Sequence, residues 1–237
     1  SSELIATFPR TLHLEHRILY VLFLAFSIWV ISRSPVLLKT SNNNFLLLQF
    51  VQTIKGMKIA SLKLKVPIVS GNVSFYNKTN EINIPPTPQI GLVGLIDDYR
   101  KSSSIGSFSL EDKVFVLGKT LGHLSCSAYE RNFFKFSSIK NTLSPPTVDL
   151  DSEIKNSESI RELINRNLIS SCHDVSDGGI IMAVIEMILS TNKQIEIYSK
   201  FKKHSFLFGE DQSRYLFTVD TKNLVKVKKL LDSRNLE

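Results

Sequence analysis

The chain has 237 residues, of which 43% are apolar, with 29 Lys and Arg against 22 Asp and Glu and a formal net charge of +7. That apolar share suits a packed core in one large or two small domains and argues against wholesale disorder, while 10 Gly, 8 Pro and 2 Cys exclude collagen-like, disulfide-scaffold and zinc-ribbon classes. The charge is spread along the chain, and its densest stretch, Lys222 to Lys229, has the spacing of one helix face, which reads as solvated surface and not as a nucleic-acid footprint.

In chain order, residues 1–44 stand apart. Ile18 to Ile31 is apolar throughout except for Ser27 and is bounded by Arg17 and Arg33. As a helix this run would span about 21 Å, short of a bilayer core, so a membrane span is not favoured and a buried helix is a competing reading. Ser32-Arg33-Ser34-Pro35 makes a poor cleavage site, and with lone thiols at Cys126 and Cys172 the expected compartment is a reducing one, the cytoplasm. From Phe45 to Lys65, Leu47, Phe50, Val51, Ile54, Met57, Ala60 and Leu64 recur at helical spacing and predict an amphipathic helix covering a sheet. Because the periodic pattern starts near Phe45, residues 1–44 are expected to be dispensable for the fold of the rest.

Pro67 to Ser70 reads as a short strand with Gly71-Asn72-Val73-Ser74 as the loop at its carboxyl end. Pro85-Pro86-Thr87-Pro88 is a stiff connector, Gln89 to Ile96 a strand, and the Ser-rich stretch to Ser109 a domain boundary. Beyond it come strands at Lys113 to Leu117, Ile169 to Cys172, Gln194 to Tyr198 and Tyr215 to Val219. Helices are expected at Asp151 to Asn167, Ile180 to Leu189 and Thr221 to Leu231. Alternating strands and helices make the fold class α/β to α+β.

Chemistry concentrates in three polar loops. His173-Asp174-Val175-Ser176-Asp177-Gly178-Gly179 lies between a strand and a helix, where glycines admit a phosphate to backbone N–H groups and Asp174 could hold the accompanying Mg²⁺. The commoner reading of the same residues is Asp177 as a helix N-cap followed by a Gly-Gly turn, with His173 merely fixing the loop. Ser70 to Ser74 lacks the Lys of a P-loop, and no such motif occurs elsewhere. Phe208-Gly209-Glu210-Asp211-Gln212-Ser213-Arg214 could bind a metal or a polar substrate, against the plainer reading of a solvated turn. His123 has no partner at ligand spacing and reads as a structural or surface histidine.

Taken together, Pro67 to Asn77, Thr87-Pro88 with Gly91 to Asp98, Pro145 to Leu150, His173 to Gly179 and Phe208-Gly209-Glu210 resemble, in order, the synthetase subunit family of phosphoribosylformylglycinamidine synthase. The likeness runs from about Leu48 to Glu237. It implies a partial aminoimidazole-ribonucleotide-synthetase-like N-domain at residues 45–109, followed by most of its C-domain at 110–237, with 1–44 unmatched. The family is an ATP-dependent ligase of purine biosynthesis that joins ammonia to formylglycinamide ribonucleotide. The resemblance therefore implies ATP and Mg²⁺ as cofactors, and as partners a glutaminase subunit, a small accessory subunit and a chain carrying the first half.

Carried across by motif, Gly71 would lie against ATP, Asn72 would coordinate Mg²⁺ and Ser74 would bind the substrate ribonucleotide. Asp174 would hold metal and Ser176 nucleotide in the second, pseudo-symmetric half. Glu210 to Gln212 matches a substrate-binding loop of the other half. The expected function is a fragment of that ligase, inactive alone. The alternatives are a non-catalytic nucleotide-binding or interaction module and a small membrane-anchored protein.

Overall fold

A computed structural model describes residues 18–20, 43–71, 78–79, 82–83, 88–133, 144–189, 191 and 204–236. The chain divides into two compact units, Ser1–Arg100 and Lys101–Glu237.

In the first unit, strand β1 (Ile18–Tyr20) pairs antiparallel with β4 (Gly94–Ile96), with Leu19 opposite Leu95. Helix α1 (Asn43–Leu64) precedes a small hairpin of β2 (Lys78–Thr79) and β3 (Ile82–Asn83). Several expectations change here. The start of the apolar run at Ile18 is strand, paired with β4, so a wholly helical Ile18–Ile31 is excluded. Pro67 to Ser70 is exposed and irregular, and the expected strand from Gln89 narrows to β4. Helix α1 forms where the periodicity placed it, with Phe50, Met57, Ala60 and Leu64 of the expected stripe half-buried, Val51 and Ile54 exposed, and Gln49 and Thr53 buried. Thr53 Oγ1 donates to the Gln49 carbonyl at 2.9 Å, which satisfies its hydroxyl within the helix. The helix stops at Lys65, whose φ of 56° breaks the right-handed run just before Pro67. Among the described residues no helix is long and apolar enough to cross a membrane.

The second unit is built on an antiparallel sheet in the order β5 (Lys113–Leu117), β7 (Tyr215–Val219), β6 (Ser171–Asp174). Strand β7 is apolar on both faces because helices cover both. On one face Leu117, Phe217 and Val219 pack against Ile160 and Leu163 of α3 (Leu150–Asn165) and Val227 and Leu230 of α6 (Leu224–Ser233). On the other, Leu216 meets Ile180, Ala183, Val184 and Met187 of α4 (Gly179–Leu189). The hydroxyls of Ser171 and Thr218 are both buried and lie 2.8 Å apart, so each has a partner inside the apolar layer.

Asp149 caps α3, its carboxylate accepting from the N–H groups of Asp151 and Ser152 at 3.1 Å. Two short helices, α2 (Ala128–Phe133) and α5 (His204–Phe208), are too brief to show a period in sequence. The strand expected at Ile169 to Cys172 lies two residues later, which carries His173 and Asp174 onto the end of β6. The strand expected at Gln194 to Tyr198 lies outside the described residues.

Candidate functional site: the loop between β6 and α4

Strand β6 ends at Asp174 and is tied down one residue later, where the Val175 N–H donates to the Arg214 carbonyl at 3.0 Å. The chain then turns through Gly178 and Gly179, whose φ angles of 79° and 71° lie in the left-handed region that glycine tolerates. Space demands glycine as well. A Cβ on Gly179 would stand 2.6 Å from the Gly209 carbonyl oxygen and 2.7 Å from that of Leu207.

The carboxylate that meets the Gly178 N–H at the start of α4 is not a neighbour's but Glu210's. Its Oε1 accepts from Gly178 N and from Ala128 N, each at 2.7 Å, so the first turns of α4 and α2 converge on one oxygen. Burial pushes the Glu210 pKa up, against the opposing pull of those two N–H groups. The cap role expected of Asp177 is thus filled at Gly178 by a residue distant in sequence, and the exposed Asp177 carboxylate faces Arg131 at 3.9 Å.

Next to it Asp211 accepts from the N–H groups of Leu121, Gly122 and His123 at 2.9, 2.8 and 3.2 Å. Arg214, 2% exposed, donates to the carbonyls of Gly209 and Asp211. The segment from Phe208 to Arg214 is therefore no solvated turn. It is a buried clasp that holds three loops by their backbone groups. His123 is structural, as expected: its Nε2 lies 2.8 Å from the Ser144 carbonyl and its own carbonyl accepts from Glu210 N.

At the lip of the loop, His173 is 10% exposed and both its ring nitrogens face oxygen. Nδ1 lies 2.7 Å from the Asp174 carbonyl and 3.3 Å from Asp174 Oδ1, and Nε2 lies 2.9 Å from Glu186 Oε2. Burial works to lower the His173 pKa, yet the hydrogen bond and charge of Asp174, with that of Glu186, outweigh it and raise the value. The same hydrogen bond holds the half-exposed Asp174 carboxyl below its usual range. On the neighbouring residue burial drives the Cys172 thiol up to about 12, so it is inert as a nucleophile.

Among the described residues no group of three or more His, Cys, Asp or Glu is placed to hold a metal. Asp174 and Ser176 offer one ionised carboxylate and one exposed hydroxyl, which fits Mg²⁺ of the kind that keeps several waters and leans on a ligand's phosphates. Gly71 is exposed, with nothing within 4 Å of where a Cβ would stand, and belongs to the first unit. Asn72 and Ser74 lie outside the described residues. Glu186 was not singled out from sequence, although it is the only charged residue in α4, and a lone acid in an apolar helix is a readable signal.

Residues 111–237 match the family described as AIR synthase related protein, C-terminal domain. The chain belongs to this family. Within its AIR synthase related domain, the clasp and the β6–α4 loop described above fall entirely inside the matched residues. The chain is also 40% identical over 184 residues to phosphoribosylformylglycinamidine synthase subunit PurL of Bartonella quintana (strain Toulouse), a match covering 77% of this chain and 24% of that protein. It thus spans about a quarter of the length of the curated relative it matches.

Among solved structures, T. maritima PurL complexed with FGAR superposes with a TM-score of 0.58 at 14% identity, over 77% of this chain and 31% of that one. The same protein complexed with ATP gives 0.57 at 13% identity, over 78% and 29%. At these identities the likeness shows a shared fold, in agreement with the mixed α/β to α+β class expected from sequence.

Proposed function

We propose that this chain supplies part of a PurL-type phosphoribosylformylglycinamidine synthase, an ATP-dependent carbon–nitrogen ligase. The observation that carries the reading is the 40% identity to a PurL subunit over 184 residues, a span long enough to include every polar loop discussed above. We take residues 45–109 as part of the domain that precedes the AIR synthase related one, and 110–237 as most of the latter, in keeping with the family match at 111–237.

In this reading Asp174 holds Mg²⁺ and Ser176 a nucleotide, while Gly71, Asn72 and Ser74 contribute to ATP, metal and ribonucleotide. ATP supplies the driving force for replacing an amide oxygen by nitrogen. The chain's own part is to hold and orient. The Glu210 clasp fixes the β6–α4 turn, and His173 holds the Asp174 carbonyl and carboxylate beside it. A glutaminase subunit, an accessory subunit and a chain bearing the first half are the partners this reading requires, since the relative is itself named a subunit. A cytoplasmic location suits two cysteines that remain thiols.

Calorimetry with Mg²⁺ and ATP on the chain, on Asn72→Ala and on Asp174→Ala tests it. Binding that weakens in both variants is expected, and equal binding by all three removes both residues from the site. With ammonia, ATP and formylglycinamide ribonucleotide, the 237-residue chain alone is expected to give no product. A ligase needs its reacting groups held about 3–3.5 Å apart, and this chain covers a quarter of its relative. Measurable product would mean that a second copy completes the cleft.

A further inference from the structure

Resting on the reading that Asp174 holds a divalent cation, we propose that Glu186 of α4 is a positioning residue for that cation, acting through His173. The His173 ring lies between the end of β6 and α4, and each of its nitrogens has an oxygen partner. Glu186 Oε2 holds Nε2 at 2.9 Å, and this anchor aims Nδ1 at the carbonyl of Asp174, 2.7 Å away, and at its Oδ1, 3.3 Å away. Without the anchor the ring can turn about its Cβ–Cγ bond, and the Asp174 peptide and carboxylate lose their common tether. A carboxylate held in one orientation presents its lone pairs to one point, which is what a hard cation with few protein ligands requires. Outer partners of this kind are worth about 10–100-fold in metal affinity.

Glu186 has little else to do. It is half exposed, and α4 is held to the sheet by Ile180, Ala183, Val184 and Met187 on its buried face. An acid at this point in an otherwise apolar helix is used where it touches His173.

The test is calorimetry of Mg²⁺–ATP binding by the whole chain and by Glu186→Ala, Glu186→Gln and Asp174→Ala, together with ¹⁵N resonances of the His173 ring and a thermal melt. Glu186→Ala should weaken binding about tenfold or more and shift the ring resonances, with the melt still cooperative. Glu186→Gln, which keeps a carbonyl oxygen for the Nε2 hydrogen, should bind within about threefold of the parent. If Asp174→Ala loses binding while Glu186→Ala binds like the parent, the inference is overturned and the cation site stands. A Gln variant as weak as the Ala variant overturns it too, because acceptor geometry would not then be what matters. If Asp174→Ala binds no differently from the parent, the cation site itself is wrong and the inference goes with it.

Discussion

Arg214 loses nearly all contact with water, and the fold compensates with oxygen on several sides. Its guanidinium donates to the carbonyls of Asp211 and Gly209 and to the Thr120 hydroxyl, with Asp211 Oδ2 at 3.9 Å. Burial lowers its pKa and the charges of Asp211 and Glu210 raise it, with burial the stronger. Nothing in the spacing of Gly-Glu-Asp-Gln-Ser-Arg announces this, because a clasp onto distant backbone looks in sequence like any polar turn. His173 was legible as a residue that fixes a loop, but which loop oxygen and which acid it meets was not. Its folded-state pKa is raised above 6.5 by Asp174 and Glu186 against the cost of burial, so its stabilising contribution is complete below that value and is lost as pH rises through the raised one. The stability gap between the parent and His173→Gln should accordingly shrink between about pH 6 and about pH 9, which urea titrations at both ends would show. A gap that widens with pH would contradict the raised value.

For the elements, length decided what could be read. Strands β5 and β7 lie where the apolar runs put them, since each is five residues of continuous or alternating apolar chain. Strand β6 slipped two residues because Ile169 and Ser170 are as strand-like as His173 and Asp174 are not, and pairing with β7 chose the register. Helix α1 shows the limit of periodicity. The period was right, yet the stripe is only partly covered, with Val51 and Ile54 exposed while Gln49 and Thr53 are buried, because what a helix rests against is settled by its neighbours.

The turn into α4 gives the sharpest contrast between glycines. Gly179→Ala would combine left-handed strain with a clash against two carbonyl oxygens, a cost of roughly 2–4 kcal/mol by denaturant titration. Gly71→Ala, in open space, should change stability by less than about 0.5 kcal/mol. Equal effects at the two positions would show that the turn does not hold the geometry described.

At the scale of the molecule, both apolar clusters of the second unit draw only on residues from Phe108 onward, so that unit carries its own core. Residues 101–237 produced alone should therefore melt cooperatively and retain helical circular dichroism, as expected of a domain with an internal core. Aggregation of that piece under conditions where the whole chain stays in solution would show that the first unit is needed to complete it. The family was legible from five short motifs in order. The framework that carries them, a sheet covered on both faces, was legible only as a class, because strand order is fixed by contacts between residues far apart in sequence, such as Lys113 with Val219.

The Glu210 carboxylate where α2 and α4 converge means that the protein arrives with its own anion already installed. Two helix beginnings, the natural receptors of negative charge, are spoken for before any ligand comes. Asp174, Asp177 and Glu186 add three more carboxylates around the same turn, with Arg131 as a counter-charge close to Asp177 and the His173 ring, its pKa raised, between Asp174 and Glu186. An anion approaching this turn meets more carboxylates than cationic groups. Under the proposed function, a nucleotide reaching this turn should therefore come with a cation carried between it and the protein.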